Sequence, residues 1–162
     1  MRIILSTIEE SSIYSECRRE GIKSVEFVRS KGKKLLFIEA KQSFPNPNNP
    51  TPNPDRGNKT GSELFQEDII DICDRFTHSL NLYSAVSIGI TEDGFPPEYI
   101  LSDKVSIEFL LVINGFAGAW CNEIQKALVN RIRELIYISK IWKPEVYVIN
   151  RETAVKRNLV VD

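Results

Sequence analysis

The chain has 162 residues, of which 42% are hydrophobic and 27% are charged, a composition typical of a globular protein. This length suffices for a sizeable core, so we expect a single domain over residues 1–162. The formal net charge of -1 excludes the overall basic field of a strong, non-specific nucleic-acid binder.

The cysteines and the hydropathy of the chain indicate in which cellular compartment it works and whether it binds zinc. The three cysteines, Cys17, Cys73 and Cys121, lie far apart without a Cys-x-x-Cys pair, and His78 is the single histidine. A zinc site is therefore not expected, and the cysteines suit buried positions in a reducing compartment. We recognise no signal peptide, and no apolar run is long enough to span a bilayer. We therefore expect a cytoplasmic protein without membrane contact.

The first predicted elements are a strand and a short helix. Residues 1–8 alternate loosely between polar and apolar side chains, which predicts a strand, and Glu9 and Glu10 follow it. Either glutamate could approach a site as an additional acid, although a solvated strand end or the first turn of a helix is the more common outcome. Residues 11–20 place apolar side chains at helical spacing, and Gly21 favours a helix end there.

Two short apolar runs follow, at residues 25–28 and 35–41, joined by a lysine-rich link that contains Gly32. This pattern predicts a tight β-hairpin with Gly32 in a type II′ turn, at the position that requires a positive φ. In the resulting register Val28 lies across from Phe37. Because side chains alternate, one face is nearly all apolar and is expected to pack on a core, while the other face is mixed.

The mixed face carries two acids and a lysine. In this register Glu26 lies directly across from Glu39, and Ser24 lies across from Lys41. Two opposed carboxylates repel each other, and a divalent cation such as Mg²⁺ is the simplest partner, because it binds carboxylate oxygens and can activate water for attack on a phosphodiester. Lys41 could orient that water or offset charge on the phosphate. On spacing alone, an ion pair between Lys41 and either glutamate on a solvated surface is the more common arrangement.

The run Ile38-Glu39-Ala40-Lys41, with an acid on the neighbouring strand, resembles the motif of the PD-(D/E)xK nuclease superfamily. That motif places an acid on one strand of a hairpin and Glu-x-Lys on the next. The resemblance implies that Glu26 and Glu39 bind Mg²⁺ or Mn²⁺ and that Lys41 is the catalytic lysine. It also implies a restriction-endonuclease-like fold, a DNA or RNA substrate and, since many such nucleases work as pairs, a homodimer as one expected assembly.

Two functions remain open from the sequence. One is a metal-dependent nuclease that hydrolyses phosphodiester bonds of DNA or RNA through Glu26, Glu39 and Lys41. The other is a catalytically inactive domain of the same fold that acts in protein interaction or assembly. The near-neutral charge, the Ser24-Val25 pair where the motif has proline, and the lack of a long helix with an extra acid before the hairpin support the second function.

The sharpest change of composition comes after Lys41. Residues 43–61 contain five prolines and five asparagines, which predicts a flexible loop, extended or disordered. This loop leaves the strand that carries Glu39 and Lys41, so it could act as a lid or contact the substrate. A variable insertion without a role is an equally good interpretation.

The rest of the chain predicts two long helices and two strands. Ser62 could cap a helix with Glu63 in its first turn, and apolar residues then recur at helical spacing: Phe65, Ile69, Ile72, Cys73, Phe76, Leu80 and Tyr83. Residues 105–113 predict a central strand covered on both faces, with Glu108 near its exposed beginning.

A second long helix is predicted for Trp120–Ile141, with Trp120 in its apolar stripe, followed by a strand at residues 145–149 and a short helix capped by Asn150. This order of elements indicates an α/β (α+β) domain of three layers, in which long helices flank a central mixed β-sheet.

Overall fold

The computed structural model describes residues 12–90, 105–115 and 118–159, except for the side chains of residues 12 and 13. The strand predicted for residues 1–8 lies outside the described residues, and so do Glu9 and Glu10.

Within these ranges, helices and strands alternate around one mixed sheet, which confirms the predicted α/β class. The elements in chain order are α1 (Ser12–Arg19), β1 (Phe27–Lys31), β2 (Lys34–Lys41), a 3-10 turn (Pro54–Arg56), α2 (Gly61–Ser87), β3 (Ser106–Ile113), α3 (Gly118–Glu134), a π-helical turn (Ile138–Trp142), β4 (Glu145–Asn150) and α4 (Arg151–Lys156).

The described strands are ordered β1-β2-β3-β4 across the sheet. β1 runs antiparallel to β2, whereas β2, β3 and β4 run parallel to one another. Parallel neighbours need a long crossover connection, and α2 and α3 lie in the two crossovers.

The hairpin of β1 and β2 has the predicted register, since Val28 pairs with Phe37. Gly32 in its turn takes a φ of 60°, a region that residues with side chains rarely adopt. β1 begins only at Phe27, so Glu26 lies just before the first paired residue.

Both faces of the sheet are covered, and the larger core lies on the face that the sequence predicts to be mixed. α2 and α3 pack there. At its centre Phe37 and Phe109 meet edge to face with ring centroids 5.8 Å apart, and Phe76 of α2 stacks on Phe109 at 4.7 Å. The nearly apolar face also packs, but against a smaller group of residues. Glu39 therefore shares its face of the sheet with the main core.

The smaller core is closed by α4 and the residues that follow it. Leu36 packs there with Ala154 and Leu159. Arg29, which is 6% exposed on the same face, donates from Nη1 to the carbonyl oxygens of Asn158 and Leu159, at 3.4 and 3.2 Å. The end of the described chain is thus tied to β1.

The predicted N-cap residue is correct for α4 and wrong for α2. Asn150 caps α4 as predicted, because its Oδ1 accepts from the backbone N–H of Thr153 at 3.0 Å. At α2, however, the cap is Thr60, whose Oγ1 accepts from Glu63 N while the Glu63 carboxylate accepts from Thr60 N at 2.8 Å. The predicted cap at Ser62 is therefore wrong, although Glu63 does lie in the first turn.

The second long helix is shorter than predicted. α3 ends at Glu134, and a π-helical turn replaces the expected helical residues up to Ile141. Trp120 is 40% exposed, because it lies one position before the stripe that is actually buried. That stripe consists of Cys121, Ile124, Leu128 and Ile132.

No helix in the described part of the chain combines the length and the apolar character that crossing a membrane requires.

Candidate functional site

The three predicted site residues meet at one edge of the sheet. Lys41 ends β2 and Glu39 lies two residues before it, so both lie at the carboxyl end of a parallel strand, where α/β sheets usually bind ligands. Glu26 immediately precedes the antiparallel β1, whose beginning lies at the same edge. The register that pairs Phe27 with Ile38 places Glu26 opposite Glu39.

Glu39 is the most deeply buried acid of this group. Its residue is 3% exposed, whereas Glu26 is exposed and Lys41 is half-buried. Oε1 of Glu39 lies 3.5 Å from Nε of Arg75 on α2. Oε2 of Glu39 is buried and has no hydrogen-bond partner among the described residues. A buried carboxylate oxygen normally has a partner, so this oxygen is available to a proton, a water or a bound ion.

Burial raises the pKa of Glu39 from 4.5 to about 7. The positive charge of Arg75 lowers this pKa, the negative charge of Glu26 raises it, and the charge of Lys41 and the backbone N–H of Glu26 lower it. Near neutral pH both the protonated and the ionised form of Glu39 are therefore populated. A buried carboxyl group with such a shifted pKa at the carboxyl end of a parallel strand is a candidate functional group.

Asp71 on α2 is the centre of an ion-pair cluster beside Glu39. Its Oδ1 lies 2.9 Å from Nζ of Lys23, and its Oδ2 lies 2.9 Å from Nε of Arg75 and 3.6 Å from Nζ of Lys41. Burial raises the pKa of Asp71, but hydrogen bonds from Lys23 and Arg75 outweigh burial and bring it to about 2. Asp71 thus stays ionised and holds three positively charged side chains near the site.

The segment before β1 is fixed to α2 by two hydrogen bonds, each from a backbone N–H of the segment to a side chain of the helix. Lys23 N donates to Nδ1 of His78 at 3.1 Å, and Val25 N donates to Oγ of Ser79 at 2.8 Å. These bonds hold the chain immediately before Glu26 in place, which positions the Glu26 backbone beside Glu39. His78 has a structural role here, as an acceptor.

Sequence reasoning missed Asp71, Arg75 and Lys23 as neighbours of the site. On α2, Asp71 precedes the buried Ile72 and Arg75 precedes the buried Phe76, so both charged residues flank the apolar stripe on the same side. A signal was present: an acid and an arginine four residues apart, next to the stripe of the helix that follows the Glu-x-Lys strand.

The donor atoms suit a hard divalent cation held by few protein ligands. Glu26 and Glu39 offer carboxylate oxygens, including the unpartnered Oε2 of Glu39. Mg²⁺ commonly binds one or two carboxylates and keeps water and substrate oxygens as its other ligands. The described ranges contain no group of three or more His, Cys, Asp or Glu side chains arranged to hold a metal. An ion at this edge would therefore take most of its ligands from water or from a substrate.

The segment that follows β2 folds against the start of α2. Phe44 is buried and meets Phe65 of α2 edge to face, with ring centroids 5.4 Å apart. Gly61 N donates to the carbonyl oxygen of Asn49 at 2.9 Å. The proline- and asparagine-rich residues 43–61 thus form a wall beside the candidate site.

Comparison of the chain with protein-family models, with curated proteins and with solved structures gives no match.

Proposed function

We propose that this protein is a metal-dependent nuclease that hydrolyses phosphodiester bonds of DNA or RNA at the edge formed by Glu26, Glu39 and Lys41. One observation carries the proposal: the buried carboxyl of Glu39 has an oxygen without a partner in the described chain, and its pKa is about 7. An unsatisfied buried acid lowers stability, and such groups cluster at sites where a ligand completes them.

The arrangement of the sheet supports a restriction-endonuclease-like fold. The PD-(D/E)xK superfamily, whose motif the residues Glu39 to Lys41 resemble, has a central mixed sheet with a helix on each side. Here α2 and α3 cover one face of a mixed sheet, and α4 covers part of the other.

Each site residue has a role in this proposal. Glu26 and Glu39 would hold Mg²⁺ or Mn²⁺, which when bound lowers the pKa of a coordinated water. Lys41 directs its ammonium group to the attacking water or to the phosphate and offsets the charge that develops there. Asp71 is a positioning residue, because its carboxylate lies 3.6 Å from the Lys41 ammonium and 2.9 Å from Arg75.

A second candidate function is a non-catalytic domain of the same fold that acts through contacts with another protein. The position of Arg75 favours this second function. Its Nε lies 3.5 Å from Oε1 of Glu39, so a positive charge lies beside the carboxylate that would bind the metal ion. In this case Glu39, Arg75 and Asp71 form an internal ion-pair network that needs no metal.

Calorimetric titration with Mn²⁺ separates the two candidates. We expect the wild type to bind Mn²⁺ at pH 8 and the Glu39→Gln variant to lose this binding. Glu108→Gln is the matched control, because Glu108 is also a buried strand acid but pairs with Lys34 at 3.1 Å. Because the ion competes with a proton on Glu39, the apparent affinity should fall by about tenfold per pH unit below pH 7.

Cleavage assays then test the chemistry. We expect Lys41→Ala to keep Mn²⁺ binding and to lose hydrolysis of single- or double-stranded substrates. If the wild type binds no Mn²⁺ at millimolar concentration, even with an oligonucleotide present, the nuclease proposal is contradicted and the interaction domain is the better assignment.

A further inference from the structure

A cavity of about 260 Å³ lies beside the candidate site, between the 43–60 segment and the first two turns of α2. Ser43 in its wall follows Lys41 by two residues, and Asp68 in its wall precedes Asp71 by one helical turn. The cavity and the site are therefore neighbours along the end of β2 and along α2.

One wall of this cavity packs closely against the start of α2. A Cβ atom at Gly61 would lie 2.1 Å from the carbonyl oxygen of Asn46, so the segment approaches the helix as closely as a residue without a side chain allows. Phe44 and Leu64, which are both buried, give the cavity an apolar part.

The volume indicates that the cavity holds one part of a larger ligand. Sites for whole drug-sized ligands measure about 300–1,000 Å³. At about 260 Å³ this cavity is smaller, so it has room for one group of a larger ligand. A nucleic-acid strand bound at Glu39 and Lys41 is such a ligand.

The charges in the wall cancel. Nη2 of Arg56 lies 2.7 Å from Oδ1 of Asp68, and these are the charged side chains that line the cavity. An ion pair with no net charge offers little attraction for a phosphate. An uncharged group therefore fits this wall better than a phosphate does.

The residues that line the cavity include several that can donate hydrogen bonds. Three asparagines use their side-chain oxygens locally: Asn46 accepts from Asn48 N at 2.9 Å, Asn49 from Thr51 N at 3.0 Å and Asn53 from Asp55 N at 3.0 Å. A backbone N–H can only donate, so each oxygen must face it and each NH₂ group is left to donate elsewhere. The hydroxyls of Ser43 and Thr51 add two groups that can also donate.

We propose that this cavity binds an unpaired nucleobase of the substrate strand, one with carbonyl oxygens, as in thymine, uracil or guanine. The inference rests on the proposed function and narrows its substrate to single-stranded nucleic acid, because the edge of a base within a duplex is paired and stacked. Adenine has no carbonyl oxygen and is the disfavoured base.

Fluorescence anisotropy with labelled oligothymidine, oligoadenosine and a duplex, all in EDTA, tests the proposal. We expect oligothymidine to bind the wild type at least about threefold more tightly than oligoadenosine or the duplex. The Ser43→Ala/Thr51→Val double variant removes two hydroxyls and keeps the backbone hydrogen bonds of the asparagines. It should lose about threefold to tenfold in affinity for oligothymidine and change little for oligoadenosine. Ser106→Ala, at the opposite end of the sheet, is the control.

Equal binding of the two homopolymers, an unchanged double variant or no oligonucleotide binding would each overturn the base-binding cavity. The proposed nuclease function fails separately. A base preference that persists in Glu39→Gln, in a protein that neither binds Mn²⁺ nor cleaves, supports the cavity and refutes the nuclease. Mn²⁺-dependent cleavage without a base preference supports the nuclease and refutes the base-binding cavity.

Discussion

Two glutamates, Glu39 and Glu108, are buried on the described strands of this sheet, and they differ in how closely a positive charge approaches them. Glu108 is 7% exposed and has the ammonium group of Lys34 at 3.1 Å. Glu39 is 3% exposed, and Nε of Arg75 lies 3.5 Å from one of its oxygens. A buried charge is tolerated when it is paired and hydrogen-bonded, a condition that Glu108 meets better than Glu39.

The raised pKa of Glu39 predicts how stability depends on pH. The folded chain holds this proton up to about pH 7, whereas an unfolded glutamate releases it near pH 4.5. The folded state therefore binds more protons between these values, and the free energy of unfolding falls as the pH rises through this window. The shift corresponds to a loss of about 3 kcal/mol above pH 7.

Glu39→Gln should remove this loss. In urea unfolding with EDTA, we expect the wild type to be less stable at pH 8 than at pH 5 and the variant to change much less. Glu108→Gln should instead be destabilised, since it leaves Lys34 without its closest carboxylate. A wild type and a Glu39→Gln variant with the same pH dependence would contradict the buried, half-titrated acid.

At the scale of elements, two helices begin with glycine under different constraints. A Cβ at Gly61 of α2 would lie 2.1 Å from the carbonyl oxygen of Asn46, whereas a Cβ at Gly118 of α3 would have nothing within 4 Å. We expect Gly61→Ala to lower the free energy of unfolding by about 2–3 kcal/mol because the loop must move. Gly118→Ala should be neutral or stabilising by up to about 1 kcal/mol. Thermal or urea unfolding compares the two, and equal effects would show that the loop does not press on α2.

The cap of α2 gives a second test at this scale. Thr60→Ala removes the oxygen that accepts from Glu63 N and should cost about 1 kcal/mol of stability. Ser62→Ala lies inside the same first turn on an exposed position and should change stability by less than about 0.5 kcal/mol. A larger loss for Ser62→Ala than for Thr60→Ala would place the cap where the sequence alone predicts it.

The sequence predicts a feature of these elements well when the residues that fix it lie close together in the chain. The hairpin register could be predicted because Gly32 and the alternating side chains fix it within a few residues. The face on which α2 packs is set by the crossover between β2 and β3, so the neighbours Asp71 and Arg75 could not be derived from the hairpin. The same holds for Trp120, which misses the buried stripe of α3 by one position.

For the molecule as a whole, Arg29 connects the end of the described chain to the sheet. It lies on β1 and donates to the carbonyl oxygens of Asn158 and Leu159, beyond α4. Arg29→Met keeps much of the side-chain volume but leaves both carbonyls without this donor. We expect a loss of about 1–3 kcal/mol and faster hydrogen exchange in α4.

Lys31→Met is the control for this prediction, because Lys31 is an exposed residue at the end of the same strand. Unchanged exchange in α4 of Arg29→Met would show that Ala154 and Leu159 hold this helix by packing alone.

The parallel pairing of β2 with β3 has a consequence for the order of folding. β1 and β2 are joined by a tight turn, but Lys34 of β2 pairs with Ser106 of β3, far along the chain. During synthesis the hairpin and α2 leave the ribosome well before β3, and contacts so distant in sequence form slowly. Until then one edge of β2 keeps its backbone groups open to other chains. Glu39 sits opposite Leu111 in this pairing, so we expect it to titrate as an ordinary glutamate until the late step that completes the sheet.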